Sequence, residues 1–137
     1  MSAKDFYHDT VREALDKDGW EITHDPLEFR MGLIVRIDLA AEQLLTAEKG
    51  KEKIAVEVKS FLSGSTLSEF HGALGQYINY RRALRRNEPD RILYLAVPLS
   101  VYNSFFTIDF IEEGLQEEQV KLLVYDPVKK EIVKWQK

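Results

Sequence analysis

Apolar positions along this chain recur with two periods, and the change from one to the other divides it into helices and strands. From about Ala3 to Asp18, Tyr7, Val11, Ala14 and Leu15 form one stripe at helical spacing, and Gly19 stands where a helix C-terminus belongs. Trp20 to Thr23 predicts a short strand stopped by the turn signal His24-Asp25-Pro26. Leu33 to Leu39 alternates and is β-branched, a buried strand ending at Asp38. The charged stretch Glu48 to Lys53 reads as a turn, and Ile54 to Lys59 as the next strand.

Ser63-Gly64-Ser65 is a loop feeding a long helix from Thr66 to Asn87, with Thr66 and Glu69 spaced as a capping box and Glu88-Pro89 ending it. Arg91 to Val97 is almost wholly apolar, as expected of a central strand covered on both faces. A helix beginning near Val101 and two strands, Val120 to Tyr125 and Glu131 to Trp135, complete the pattern. The order α-β-β-β-α-β-α-β-β predicts one α/β domain over residues 1–137, a mixed central sheet in a three-layer α/β/α arrangement.

Composition narrows the chemistry. The chain contains no cysteine, which excludes disulfides, zinc fingers, iron–sulfur clusters and thiol catalysis. Met1-Ser2-Ala3-Lys4-Asp5 lacks the apolar stretch of a signal peptide, and no segment approaches the roughly 18–20 apolar residues of a membrane span. The expectation is a soluble, cytoplasmic protein without a membrane partner. A net charge of −4 is not the footprint of a protein that coats DNA with basic surface. Any contact with DNA must use a local cluster, and Arg81, Arg82, Arg85 and Arg86 supply one, although four arginines on a helix also suit a solvated face.

Charge interrupts two apolar strands. Asp38 breaks the run Ile37-Asp38-Leu39. In Ala55-Val56-Glu57-Val58-Lys59, Glu57 and Lys59 share one face, and Val56 and Val58 the other. A carboxylate and an ammonium on a buried strand cost desolvation energy unless they pair or bind an ion. Phosphodiester hydrolysis uses such a set: hard oxygens hold Mg²⁺, and a lysine orients water or offsets developing charge. A structural salt bridge is the competing account. On the long helix, Phe70, Ala73, Leu74, Tyr77 and Leu84 form the apolar stripe, and Gln76 and Tyr80 lie one turn apart along its edge. There they can reach a phosphate or metal-bound water, or simply bond to nearby backbone.

Together these residues resemble the PD-(D/E)xK nuclease superfamily, in particular RecB-type members whose helix after the E-x-K strand carries Gln-x-x-x-Tyr. Asp38 matches the first acidic residue, Glu57 and Lys59 the E-x-K, and Gln76 and Tyr80 the helix pair. The resemblance implies a restriction-endonuclease-like fold and a Mg²⁺ or Mn²⁺ site on Asp38, Glu57 and the Val58 carbonyl. Lys59 would position water, and Gln76 and Tyr80 would orient the phosphate. Many members carry a glutamate on the first helix, eleven residues before its terminal glycine; here that position is His8. RecB-type members use a histidine from this region as a metal ligand. Glu13 competes with it, but helical angles place Glu13 nearly opposite the apolar stripe. Ile37 replaces the proline of the class.

The whole chain is also similar to the XisH family, the fdxN-element excision controlling factors of cyanobacteria. The similarity lies in Lys17-Asp18-Gly19-Trp20, Glu52 through Phe61, Ala73-Leu74-Gly75-Gln76-Tyr77 and Pro89 through Val97. This implies a role in programmed DNA excision beside a site-specific recombinase and an XisI-like partner protein, with homo-oligomerisation left open. Two readings follow: a metal-dependent deoxyribonuclease or nuclease-like DNA-processing factor, or a non-catalytic accessory protein that controls excision by binding a partner. The aromatic segment Tyr102-Asn103-Ser104-Phe105-Phe106 is a candidate interaction face for the second.

Overall fold

Helix α1 (His8–Lys17) forms on the first apolar stripe, burying His8, Val11, Ala14 and Leu15. The computed structural model describes residues 5–46 and 50–137, so Ala3 and Lys4, the expected start of this helix, lie outside it. Asp9 in the first turn and Lys17 in the last complement the helix dipole. Gly19 follows the helix at φ +86°, and a Cβ there would meet the Gln43 side chain at 3.1 Å. Both facts favour glycine.

Five strands, rather than the expected three, precede the long helix: β1 (Glu21–His24), β2 (Leu27–Arg30), β3 (Ile34–Ile37), β4 (Leu39–Thr46) and β5 (Gly50–Val58). A cis Asp25–Pro26 peptide joins β1 to β2. The expected strand Leu33–Leu39 is in fact two elements. Among the described residues β3 pairs with β2 alone, in a hairpin, and at Asp38 the chain passes into β4 of the main sheet. β4 escaped the pattern because Leu-Ala-Ala-Glu-Gln-Leu-Leu favours helix; pairing on both sides, with β1 and β5, overrides that propensity. Lys51 to Lys53, expected in a turn, belong to β5; Glu48 and Lys49 lie outside the described residues.

Helix α2 spans Thr66–Asn87 as expected, but the cap differs. Ser65, not Thr66, is the N-cap, and its hydroxyl accepts from the Ser68 N–H. Beyond α2 come β6 (Arg91–Pro98), a short helical turn α3 (Leu99–Val101) running into a π-helical turn at Tyr102–Phe106, then α4 (Asp109–Glu117), β7 (Leu122–Asp126) and β8 (Glu131–Gln136).

The fold is a mixed α/β one. Its six-stranded sheet has the order β1-β4-β5-β6-β7-β8, with β5, β6 and β7 parallel and the remaining pairings antiparallel. Alternate residues of β6 go to opposite faces. Leu93, Leu95 and Val97 pack with Phe70, Ala73 and Tyr77 of α2 and Ile111 and Leu115 of α4. Tyr94 and Ala96 pack with Val11 and Leu15 of α1 and with Trp20. Trp135 of the edge strand β8 closes that second face, its ring 4.8 Å from Tyr94 and 5.6 Å from Trp20. Among the described residues no helix is long and apolar enough to cross a membrane.

Candidate acidic site at the end of β5

The register of β4 against β5 pairs Leu39 with Val56 and Ala40 with Ala55. One step further along this antiparallel ladder sets Asp38 opposite Glu57. Directly opposed residues share a face, and this is the α2 face, since Ala40 and Ala55 pack there. Asp38 therefore stands at the entrance to β4, not at the end of a sheet strand as expected. Each carboxylate is tied to the backbone of the facing segment. Asp38 Oδ2 accepts from the Val58 N–H at 2.7 Å, and Glu57 Oε1 accepts from the Asp38 N–H at 3.3 Å.

Burial makes this pair costly. Glu57 is 5% exposed, and desolvation, reinforced by the Asp38 charge, pushes its carboxyl up to about 8. Desolvation also raises Asp38, against the Val58 N–H and the His8 and Lys59 charges that pull it down. Two carboxylates this close do not both ionise readily, so the pair is pushed toward holding one proton between them. Lys59 Nζ lies 3.7 Å from Glu57 Oε2 on the same face. The backbone after Lys59 is held firmly: its N–H donates to the Ala96 carbonyl, and its own carbonyl accepts from the Tyr125 hydroxyl at 3.0 Å. The Ser60 N–H donates to Asp5 Oδ2.

The helix residues are placed unequally. Burial, then the charges of Glu57 and Asp38, raise the Tyr80 phenol to about 12, which sets Tyr80 within electrostatic range of the pair. Gln76 is half-buried, and its Oε1 is shielded from water without a hydrogen-bond partner among the described residues. Tyr77, between them, is structural: its hydroxyl donates to the Leu93 carbonyl and accepts from the Lys121 N–H.

His8 is buried, with its Nε2 2.7 Å from Asp25 Oδ1, and Asp25 Oδ2 accepts from Arg12. Its Nδ1 is buried without a partner among the described residues, and the ring lies within electrostatic range of Asp38. Sequence reasoning took Asp25 only as part of a turn and missed that it orients His8; no local signal links them, because the contact spans seventeen residues. Glu13 faces solvent, near Lys17 and Lys130. Among the described residues no group of three or more His, Asp or Glu side chains is arranged to hold a metal. The donor set is thus the carboxylate pair: hard, anionic oxygens that suit a hard divalent cation, which can replace the shared proton.

The four arginines do not form one patch. Arg81 donates to the Glu118 and Gln119 carbonyls and lies over the Tyr77 ring, whereas Arg82 and Arg86 line a groove against the β2–β3 hairpin. The segment Tyr102–Phe106 is largely committed to packing. Phe106 is buried against Phe61 and Phe70, and the Tyr102 hydroxyl donates to Gln136 and accepts from Lys134. An interaction face here would have to use Asn103 and Ser104, which are exposed.

No curated protein matches the chain. Among solved structures, it is similar to an XisH family protein from Nostoc punctiforme, at 52% identity and a TM-score of 0.88, over 97% of this chain and 100% of that one. It is also similar to an fdxN element excision controlling factor protein from Anabaena variabilis, at 53% identity and a TM-score of 0.87, over 96% and 98% of the two chains. The sequence profile described as XisH protein matches residues 1–133, and the chain belongs to the XisH family.

Proposed function

We propose that this protein acts in DNA element excision as a Mg²⁺- or Mn²⁺-dependent deoxyribonuclease of the PD-(D/E)xK, restriction-endonuclease-like class. The observation that carries this reading is the pair of half-buried Asp38 and buried Glu57, tied strand to strand and flanked by Lys59 at 3.7 Å from Glu57. A lone structural salt bridge needs one carboxylate, and the second adds repulsion that only a cation or a proton relieves. Asp38 and Glu57, with the Val58 carbonyl, would hold the ion, and the unpartnered Nδ1 of a neutral His8 would be a further ligand. A divalent ion there would supply Lewis acidity and a more acidic bound water.

The chain's own groups have separate tasks. Lys59 aligns the attacking water and offsets charge on the phosphate, from a backbone pinned by Ala96 and Tyr125. The phenol of Tyr80, protonated at neutral pH, donates to a phosphate oxygen. Gln76 holds the same group through its side-chain amide. DNA is the substrate, with an XisI-like protein and a site-specific recombinase as partners in the excision reaction.

The experiment is incubation of the pure protein with single-stranded, duplex and branched DNA in Mg²⁺ or Mn²⁺. Cleavage of one of these forms, lost in both Asp38→Asn and Lys59→Met, is expected. Cleavage that persists in both variants would contradict the assignment, and so would no cleavage of any form.

A further inference from the structure

We propose that the groove between the β2–β3 hairpin and the C-terminal half of α2 takes a single unpaired strand of nucleic acid. Its phosphates would lie on Arg82 and Arg86 and its base faces against Leu33 and Ile34. The strand's role as substrate rests on the nuclease reading above, whereas the groove and its preference do not.

The groove is a cavity of about 530 Å³, and among the described residues no carboxylate lines it. In a chain of net charge −4, a cleft with three arginines (Arg36, Arg82 and Arg86) and no acid is a local reversal of sign that selects an anion. Arg36, on the hairpin wall, is held by Glu28 at 2.9 Å. Arg82 and Arg86 have no ion-pair partner among the described residues; Arg82 only approaches Asn79, at 3.5 Å. They are exposed on α2 one turn apart, about 6 Å along the axis, so they can hold neighbouring phosphates of one strand.

The opposite wall explains why the strand is unpaired. Leu33 is 65% exposed and Ile34 42%, at the tip of a hairpin whose Leu27 and Ile37 are buried. Gly32, at φ +78° with nothing near its Cβ position, makes the tight turn that presents them. A duplex offers phosphates and groove edges but keeps its base faces stacked. An unpaired strand offers both phosphates and apolar base faces, and a cleft pairing arginines with apolar and aromatic side chains matches both. Tyr80 lines the groove on the α2 side, and it is the residue that the groove shares with the proposed nuclease site.

The test is fluorescence anisotropy of a labelled oligodeoxythymidylate, at low salt and with EDTA. The comparisons are a duplex of equal length and poly-glutamate as competitor. The single strand should bind more tightly than the duplex. The double variant Arg82→Glu/Arg86→Glu should weaken single-strand binding by about tenfold or more, and Leu33→Ser/Ile34→Ser should narrow the preference for the single strand. All four positions are exposed, and unchanged melting temperatures would show that both variants fold. Wild-type binding by the charge-reversed protein, tighter binding of the duplex, or equal displacement by poly-glutamate would each overturn the proposal. No metal is present and no cleavage is read. A protein that binds through these residues yet cuts no DNA overturns the nuclease reading alone. One that cuts DNA while the charge-reversed variant binds normally overturns the groove alone.

Discussion

Asp38 and Glu57 each accept a hydrogen bond from the other's strand, at the Val58 N–H and the Asp38 N–H respectively. The arrangement fixes two mutually repelling carboxylates by the backbone rather than by opposite charge. Lys59, one residue past β5 and 26% exposed at its side chain, offsets only part of their charge. Stability and function therefore pull in opposite directions at this site, and that conflict makes it testable.

The first prediction concerns pH. Burial raises the folded-state value of Glu57 from 4.5 to about 8, so between these values the folded chain holds a proton that the unfolded chain has released. Stability must then fall as pH rises across that window, and the loss is complete only above about 8. Melting curves without metal should show this fall for the wild type. It should flatten in Glu57→Gln, which cannot ionise. An identical pH dependence in the two proteins would contradict the burial argument.

Tyr77 and Tyr80 lie three residues apart on α2 and should fail in different ways. Tyr77→Phe strips the partner from a buried carbonyl and from the Lys121 N–H, at a cost of about 1–3 kcal/mol, with cleavage of DNA retained by the folded fraction. Tyr80→Phe should leave the melting temperature nearly unchanged and reduce kcat. Thermal melts paired with single-turnover cleavage separate the two.

Lys59→Met should lower the cleavage rate by about 10²-fold or more, the scale of losing one group that stabilises transition-state charge. Its effect on folding should be small, within about 1 kcal/mol, because the ammonium is partly solvated and its pairing is screened. A variant that cuts normally would return Lys59 to the role of a salt-bridge partner.

Arg91 provides the contrast of a buried charge that is structural. It is 6% exposed and bonds to Glu88, the Ile54 carbonyl and, at longer range, the Ala41 carbonyl. Arg91→Ala strands Glu88 and two backbone acceptors, and unfolding experiments in urea should show a loss of about 3–5 kcal/mol. Added Mg²⁺ should restore none of it.

How much of this was legible in the sequence depends on whether the signal was local. Helix α2 was found with its bounds because a Pro-terminated, 22-residue period leaves little choice. Its cap was misplaced by one residue, since Ser65 and Thr66 are chemically equivalent candidates. β4 was invisible because its composition favours helix and only its neighbours make it a strand. The strand assigned to Leu33–Leu39 hid a change of sheet at Asp38 that no propensity reports. Asp38, Glu57 and Lys59 stood out as charges in apolar runs, the kind of local inconsistency that marks a costly site. The Asp25–His8 contact, the Tyr125 support of Lys59 and the groove beside Arg82 and Arg86 are tertiary facts.

The most direct test of the central claim, that Asp38 and Glu57 form a divalent-metal site, is titration of Mn²⁺ into the metal-free protein, followed by the loss of the free-ion electron paramagnetic resonance signal. Saturable binding of one ion by the wild type is expected, with proton release because the carboxylate pair gives up its proton, and loss of that binding in both Asp38→Asn and Glu57→Gln. A wild type that leaves the free-ion signal unchanged would contradict it, as would equal binding by the wild type and the two variants.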